Sequence, residues 1–210
     1  MTKETLTFAE TYQIISVTKI YNMWKLIISI IITITVISCS SPNTKIDAST
    51  YSEYQKKGDE ITILTQAILL SNVGKAIQSG GTEYAVEFCN LKASSIVDSL
   101  NAVNNCAISR VSQKNRNPEN NLKNETETTI IKLMSEGSMK DTLIRSENTL
   151  IYFKPIRTAL AACLKCHGNP GSDINTATMQ KINQLYPNDL ATGYQLNEFR
   201  GMWKVKFTAP

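Results

Sequence analysis

The most constraining feature of this 210-residue sequence is a pair of cysteines three residues apart with a histidine directly after the second, at residues 163–167 (CLKCH). On a helical turn, positions i, i+3 and i+4 share one face, so both thiols and the imidazole point the same way. Two thiols at this spacing can add to the vinyl groups on one edge of a porphyrin while the imidazole binds its iron. The motif therefore predicts one c-type haem attached covalently through Cys163 and Cys166, with His167 as an iron ligand.

The flanking residues predict the local structure of this motif. Pro155 suits a first helical turn, residues 158–162 are mostly good helix formers, and Gly168 can end a helix in the left-handed conformation. We expect the motif to lie at the end of a short helix.

Two other chemistries use the same residue types. A thioredoxin-type dithiol opens a helix after a strand, whereas this motif is expected to close a helix before the loop 168–171. A structural zinc site needs four ligands and normally spreads them more widely than an adjacent Cys–His pair. Because His167 is the only histidine in the chain, zinc would need a further cysteine or a carboxylate. Haem is favoured, and the two alternatives stay open.

The N-terminal region predicts export. Residues 26–38 are an apolar run of signal-peptide length, preceded by Lys25 and too short to span a bilayer as a mature helix. Residues 36–39 (VISC) resemble the cleavage box of bacterial lipoproteins, in which the cysteine becomes the lipidated N-terminus. The sequence therefore predicts a signal peptide over residues 1–38 and lipidation of Cys39.

Two further features refine this prediction. Met23 begins a more usual leader than Met1, which predicts that residues 1–22 are an over-extended gene start. No aspartate follows Cys39, which by resemblance to lipoproteins leaves an outer-membrane address open. We expect a membrane-anchored lipoprotein on the periplasmic side or the cell surface, which agrees with a c-type haem because that haem is attached outside the cytoplasm. An uncleaved anchor helix is the alternative.

Composition predicts one globular domain after the leader. Residues 39–52 are polar and predict a lipidated N-terminus followed by a tether, and residues 53–210 form the predicted domain. The formal net charge is +4 and no basic patch of the kind that nucleic-acid binding requires is present, so we expect no nucleic-acid partner.

The hydrophobic pattern predicts an α+β fold, with long helices first and a small antiparallel sheet whose hairpin runs directly into the motif. The last strand alternates, with Trp203, Val205 and Phe207 on one face and two lysines on the other, so we expect it to be half-buried. The predicted helices are 54–77, 83–100, 126–135 and 175–185, with a break at Gly80–Gly81, and the predicted strands are 106–111, 141–145, 149–154 and 202–207.

Several short segments carry a resemblance that covers nearly all of the predicted domain. They are residues 85–91 around Cys89, 116–120 (RNPEN), 152–156 (YFKPI), 163–168 (CLKCHG), 186–194 (YPNDLATGY) and 200–201 (RG). In this order they resemble a family of exported c-type haem proteins with a PAS-like fold, found alone and as sensor modules of bacterial signalling proteins. Residues 121–124 (NLKN) depart from the family, which usually keeps a proline and an acidic residue there, and this affects the expected shape of that loop only.

The resemblance implies a second iron ligand. In the family, a cysteine thiolate from a preceding helix holds the iron opposite the motif histidine, and Cys89 matches that position. From pattern alone, Cys89 lies on the apolar stripe of its helix, where a buried free cysteine is common. The rival sulfur ligands in the sequence are Met134, Met139, Met202 and Cys106.

Two classes of function follow from this expected site. Two strong protein ligands leave no open iron position, and a thiolate favours ferric iron. This favours a redox or haem-based sensor or a low-potential electron-transfer module, not an enzyme, acting on an unknown redox or signalling partner. The alternative is a peroxidase-like or nitric oxide converting haem enzyme with a labile sixth ligand. Arg110 and Arg116 are candidates to pair with the haem propionates, because guanidinium groups suit carboxylates.

Overall fold

The computed structural model describes residues 45–208. The predicted signal peptide, the alternative start at Met23 and the predicted lipidation site Cys39 lie outside the described residues. Within residues 45–208, no helix combines the length and the apolar sequence needed to cross a membrane. The elements in this range are α1 (Ala48–Asn104), β1 (Ala107–Val111), a 3-10 helix (Pro118–Asn120), α2 (Glu125–Ser135), β2 (Thr142–Ser146), β3 (Thr149–Arg157), α3 (Ala161–His167), α4 (Thr176–Leu185) and β4 (Phe199–Thr208).

The long helix α1 begins inside the predicted tether. Asp47 caps it, because the Asp47 carboxylate accepts the backbone N–H of Thr50 at 2.9 Å. Residues 48–52 are therefore helical, and in the described residues only 45–47 of the predicted tether precede the helix.

The predicted break in this region is a kink within α1. Gly80 and Gly81 have non-helical backbone angles, and Gly81 has a φ of +75°, which glycine adopts without steric cost. The predicted helices 54–77 and 83–100 are the two halves of α1 on either side of this kink.

A chain of hydrogen bonds fixes the kink against α4. The Asn175 amide donates to the Thr82 hydroxyl at 3.4 Å, and the Thr178 hydroxyl donates to the Glu83 carboxylate at 3.1 Å. Because Thr178 uses its only hydroxyl proton on Glu83, Thr82 is the donor in the hydrogen bond between the two threonine hydroxyls. Asn175 also caps α4 by accepting the Thr178 N–H at 2.7 Å, so the start of α4 and the kink form one polar cluster.

The four strands form one antiparallel sheet with the order β1-β4-β3-β2. The β2–β3 hairpin leads directly into α3, as the sequence predicts. The prediction that Pro155 begins a helix is wrong, since Pro155 lies in β3 opposite Met202. The pairing of β2 with β3 ends at Thr142 and Phe153, so Pro155 lies beyond it, where a residue without an N–H is tolerated in a strand.

Each face of the sheet packs against a different helix. The face that carries Trp203, Val205 and Phe207 packs against α1, where Ile61 and Tyr152 join the same core. The opposite face packs against α2 through Ile130, Ile131, Met134, Phe153 and Met202. The prediction of an α+β, PAS-like fold with long N-terminal helices and a small antiparallel sheet is confirmed.

The strand β4 is more deeply buried than its alternating sequence predicts. Lys204 was expected on a solvated face, but its side chain lies under α2 and forms an ion pair with Glu127. The exposed fractions of these two side chains are 10% and 1%. The Glu127 carboxylate also accepts the backbone N–H of Lys123 at 2.7 Å. Because the amphipathic helix α2 covers the second face, β4 is buried on both faces. The alternation of residues within the strand does not reveal this burial.

Candidate functional site

The cysteine–histidine motif occupies the short helix α3. The helix follows β3 after three residues, and the N–H of Gly168 closes it by donating to the Leu164 carbonyl at 2.8 Å. The predicted left-handed cap is wrong, because Gly168 has a φ of −73°. Glycine is required there by close packing, since a Cβ at this position would lie 2.5 Å from the Cβ of Asp173.

The motif faces a cavity of about 550 Å³ between α1, the sheet and α3. An apolar wall comes mainly from α1 and ends at Trp203, whose indole N–H donates to the Gln66 side chain at 3.2 Å. All six residues predicted for the site lie in its lining, which joins α1, β1, the following loop and α3: Cys89, Arg110, Arg116, Cys163, Cys166 and His167.

The imidazole of His167 has a defined orientation. Its Nδ1 lies 2.8 Å from the carbonyl oxygen of Ala191. A carbonyl can only accept, so Nδ1 carries the proton and donates it. Burial lowers the pKa of His167 well below its usual value, and the nearby charges of Arg200 and Arg116 lower it further. The ring is therefore neutral and its Nε2 carries a lone pair, which is the form of histidine that binds metals.

The carbonyl of Ala191 is itself held in place by a buried ion pair. The Arg116 guanidinium donates two hydrogen bonds to the Asp189 carboxylate, each 3.1 Å long, and a third to the Cys166 carbonyl at 2.7 Å. The Asp189 carboxylate also accepts the N–H of Ala191 at 3.0 Å. Arg116 is thus connected to His167 through Asp189 and Ala191, and one of its terminal nitrogens also donates directly to the Ala191 carbonyl at 3.5 Å.

Two backbone hydrogen bonds tie the predicted irregular segment 186–194 to α3. The N–H of Tyr194 donates to the His167 carbonyl at 2.9 Å, and the N–H of Gly193 donates to the Gly168 carbonyl at 2.8 Å. The rings of Tyr194 and His167 meet edge to face, with centroids 6.4 Å apart. The segment therefore forms a rigid support behind the imidazole.

Cys89 is the only one of the candidate sulfur ligands that lines the cavity within the described residues. Met134 and Met202 are buried on the opposite face of the sheet and Met139 packs against them. Cys106 packs against the core between α1 and the sheet. The tertiary structure therefore brings together Cys89 and the motif, and it separates the rivals from them.

The thiols of Cys89 and Cys166 are protonated in the absence of a compensating cation. Burial raises the pKa of Cys166 to about 11 and also raises the pKa of Cys89, while the charges of Arg110 and Arg116 act on Cys89 in the opposite direction. The four described cysteines are all free thiols.

Three residues of the site are not predicted as such by the sequence. Asp189 and Ala191 belong to the segment 186–194, and Arg200 belongs to the pair 200–201; both stretches carry the family resemblance. The resemblance was a signal for these positions, but only the folded chain shows that Asp189 holds Arg116 and that Arg200 lines the cavity.

The fold and the site define a class: α+β, PAS-like proteins that present a CxxCH helix to an apolar, arginine-lined cavity. The chain belongs to the Tll0287-like family, whose family model matches residues 29–208. The family assignment predicted from the sequence is thereby confirmed.

One solved structure is similar to this chain, the crystal structure of the cyanobacterial haem protein Tll0287. The TM-score is 0.57 at 20% sequence identity, and the match covers 74% of this chain and 95% of that one. At this identity the likeness shows the fold. No curated protein matches the chain.

Proposed function

We propose that this chain is a haem protein that binds one c-type haem through Cys163 and Cys166, with His167 and Cys89 as the residues that would bind its iron. The observation that supports this most strongly is the geometry of His167. Its Nδ1 donates to Ala191, which leaves Nε2 as the lone-pair nitrogen in a cavity shared with both motif thiols and with Cys89.

The cavity suits such a group in size and in chemistry. Its volume of about 550 Å³ falls within the range of roughly 300–1,000 Å³ that is usual for ligand and cofactor sites. A flat macrocycle needs apolar walls, and its carboxylates need cationic partners. The cavity offers both, with a wall of leucine, isoleucine, valine and tryptophan side chains and four arginines, Arg110, Arg116, Arg157 and Arg200.

The residues around the ligands have definable roles. The Ala191 carbonyl makes the His167 imidazole more electron-rich through the hydrogen bond at Nδ1, as outer partners of metal-binding histidines do. The Arg116–Asp189 pair keeps that carbonyl in position. Arg110 and Arg116 favour the thiolate form of Cys89, which is the form that binds iron.

This arrangement favours electron exchange or sensing over catalysis. A c-type haem supplies one-electron chemistry at its iron. If both His167 and Cys89 bound the iron, no position would remain for a substrate, and the thiolate would favour the ferric state. We therefore propose a redox or haem-based sensor or a low-potential electron-transfer module, whose partner is a redox or signalling protein.

The proposal includes export and lipid anchoring at Cys39. The apolar run 26–38 followed by a cysteine supports it, and so does the requirement that c-type haem be attached outside the cytoplasm. The protein would then act on the periplasmic side or at the cell surface. Exchange of Cys39 for serine should release it from membranes, and unchanged membrane retention would count against the anchor.

Mass spectrometry of exported protein, produced together with the c-type maturation machinery, tests the haem proposal. We expect the polypeptide mass plus one covalent haem, and the bare polypeptide mass from a variant with both Cys163→Ser and Cys166→Ser. The bare mass from the wild-type chain would rule out the proposal. Visible spectra with and without carbon monoxide test the six-coordinate state, because ready binding of carbon monoxide would point to an enzyme or a gas sensor instead.

A further inference from the structure

We infer that Arg200 is a cofactor-binding residue that holds a haem propionate, and that Arg116 instead positions the histidine ligand. This inference rests on the proposed function. Arg110, Arg116 and Arg200 all line the cavity. The sequence pointed to the first two as propionate partners, but the contacts of the three guanidinium groups are different.

Arg116 already has its counter-charge. Its Nε and one terminal nitrogen bond to Asp189, and the same terminal nitrogen donates to the Cys166 carbonyl. The exposed fractions of the Arg116 and Asp189 side chains are 14% and 4%. A bidentate pair this deeply buried is not readily exchanged for a pair with a ligand.

Arg200 is held in one orientation but keeps a buried donor without a partner. One of its terminal nitrogens donates to the Ser112 hydroxyl and to the Lys114 carbonyl, both at 2.8 Å. Its guanidinium lies over the ring of Tyr194, 5.2 Å from the centroid. Its Nε is buried without a hydrogen-bond partner within residues 45–208, so an anion in the cavity would bind the other terminal nitrogen, which makes no hydrogen bond within these residues.

The charge balance of the cavity calls for an anion with two acidic groups. Among the described residues, no ion pair within 4 Å involves Arg110 or Arg200. Arg116 is neutralised by Asp189, and Arg157, which also lines the cavity, is exposed and donates to the Asn197 carbonyl at 3.1 Å. Arg110 and Arg200 therefore remain as the two other guanidinium groups of the lining without a carboxylate partner. An unpaired charge or N–H that is removed from water is costly unless a partner restores its interactions. A flat apolar body with two carboxylates meets both needs of this cavity, and haem with its two propionates is such a body.

Resonance Raman spectroscopy of the holoprotein tests the role of Arg200, because the propionate bending mode reports hydrogen bonding to the carboxylate itself. We expect Arg200→Gln to move this mode away from its wild-type frequency. We also expect the reduction potential to fall, because a cation near the iron favours the reduced state. Arg200→Lys keeps the charge, so it should preserve most of the potential while still shifting the mode.

Arg145 provides a matched control. Its Nε is likewise buried without a partner among the described residues, but it lies in β2 and does not line the cavity. Arg145→Gln should therefore leave both the mode and the potential unchanged. An equal shift in Arg145→Gln would mean that loss of any buried arginine perturbs the fold, and the inference about Arg200 would be overturned.

A comparison that uses no variant covers the case in which Arg200→Gln does not accumulate. A short haem peptide with solvated propionates gives the frequency of the mode without an arginine partner. The wild-type protein should differ from this reference, and equality would overturn the inference. Mass spectrometry of the same samples separates failure of the proposed function from failure of the role of Arg200. Absence of covalent haem in the wild type refutes both. Covalent haem with an unshifted mode in Arg200→Gln refutes the role of Arg200 alone.

Discussion

The charged side chains on the two faces of the sheet differ in whether they have a partner. Under α2, the Lys204 ammonium is paired with Glu127 and both are sealed from solvent. On the face towards α1, Arg110 and Arg200 line a cavity and have no carboxylate partner among the described residues. A buried charge that is paired within the protein stabilises the fold, whereas an unpaired charge that also lines a cavity can bind a ligand. Substitutions on the α2 face should therefore lower the free energy of unfolding, and substitutions on the cavity face should alter the spectrum or the reduction potential of the site.

The largest loss of stability is expected on the α2 face. Glu127→Gln removes the charge that compensates Lys204 and weakens the acceptor of the Lys123 N–H. Breaking a buried ion pair from one side costs about 3–5 kcal/mol, because the remaining charge stays buried. Urea unfolding should show this loss, while the ferric spectrum of the folded protein should not change. A changed spectrum would contradict the division between the two faces.

A smaller loss, combined with an altered site, is expected from Asp189→Asn. The variant weakens charge-assisted hydrogen bonds to Arg116, for which about 1.5–3 kcal/mol is typical. It also loosens the support of the Ala191 carbonyl behind His167. We expect lower stability in urea together with a shift in the reduction potential, and Glu127→Gln serves as the control that loses stability without that shift. A reduction potential that stays at the wild-type value would show that Asp189 does not influence the iron through His167.

Cys89→Ala should have a modest effect on stability, on the order of 1 kcal/mol, which is typical of point substitutions. Its effect on the site should be large, because the variant removes a proposed iron ligand. The haem should stay attached while the low-spin ferric spectrum is replaced by a high-spin or carbon-monoxide-reactive one. Cys106→Ala is the matched control, since Cys106 packs in the core away from the cavity. An unchanged low-spin spectrum in Cys89→Ala would falsify the ligation.

The smallest effect is expected at the surface. Lys56 and Glu60 form an ion pair one helical turn apart on α1, and both side chains are largely exposed. Solvent screens such pairs, so Glu60→Gln should change neither the urea midpoint nor the spectrum measurably. A loss comparable to that of Glu127→Gln would show that burial is not what distinguishes the charges of this protein.

Much of the fold follows from local sequence patterns. Periodicity and glycine placement located both halves of α1, the kink and the hairpin within a few residues, because these features depend on neighbours in the chain. Pro155 was misplaced because a proline suits both a first helical turn and an unpaired stretch of a strand, and the end of β2 decides between them. Lys204 was misplaced because its burial depends on α2, which is far from it in the chain.

The same division applies to the site. The spacing of the motif indicates which thiols and which imidazole act together, so Cys163, Cys166 and His167 could be predicted from the residues alone. Cys89 needed the family resemblance, and its place beside the motif emerges only from the packing of α1. The different contacts of Arg116 and Arg200 could not be predicted, because they depend on which arginine meets Asp189 across the fold.

Under the proposed ligation, a change in the bend angle at the kink in α1 would move Cys89 and so change its distance from the iron. Cys89 follows Gly81 by eight residues, which is about 12 Å along a helix axis, so one degree of bending moves the cysteine by about 0.2 Å. Metal–ligand distances in defined sites hold to within about 0.2 Å. The angle at the two glycines must then be held to roughly one degree. The hydrogen-bonded chain from Asn175 to Glu83 ties the residues directly after the kink to the start of α4, so two threonine hydroxyls restrict the movement of the half of α1 that carries Cys89.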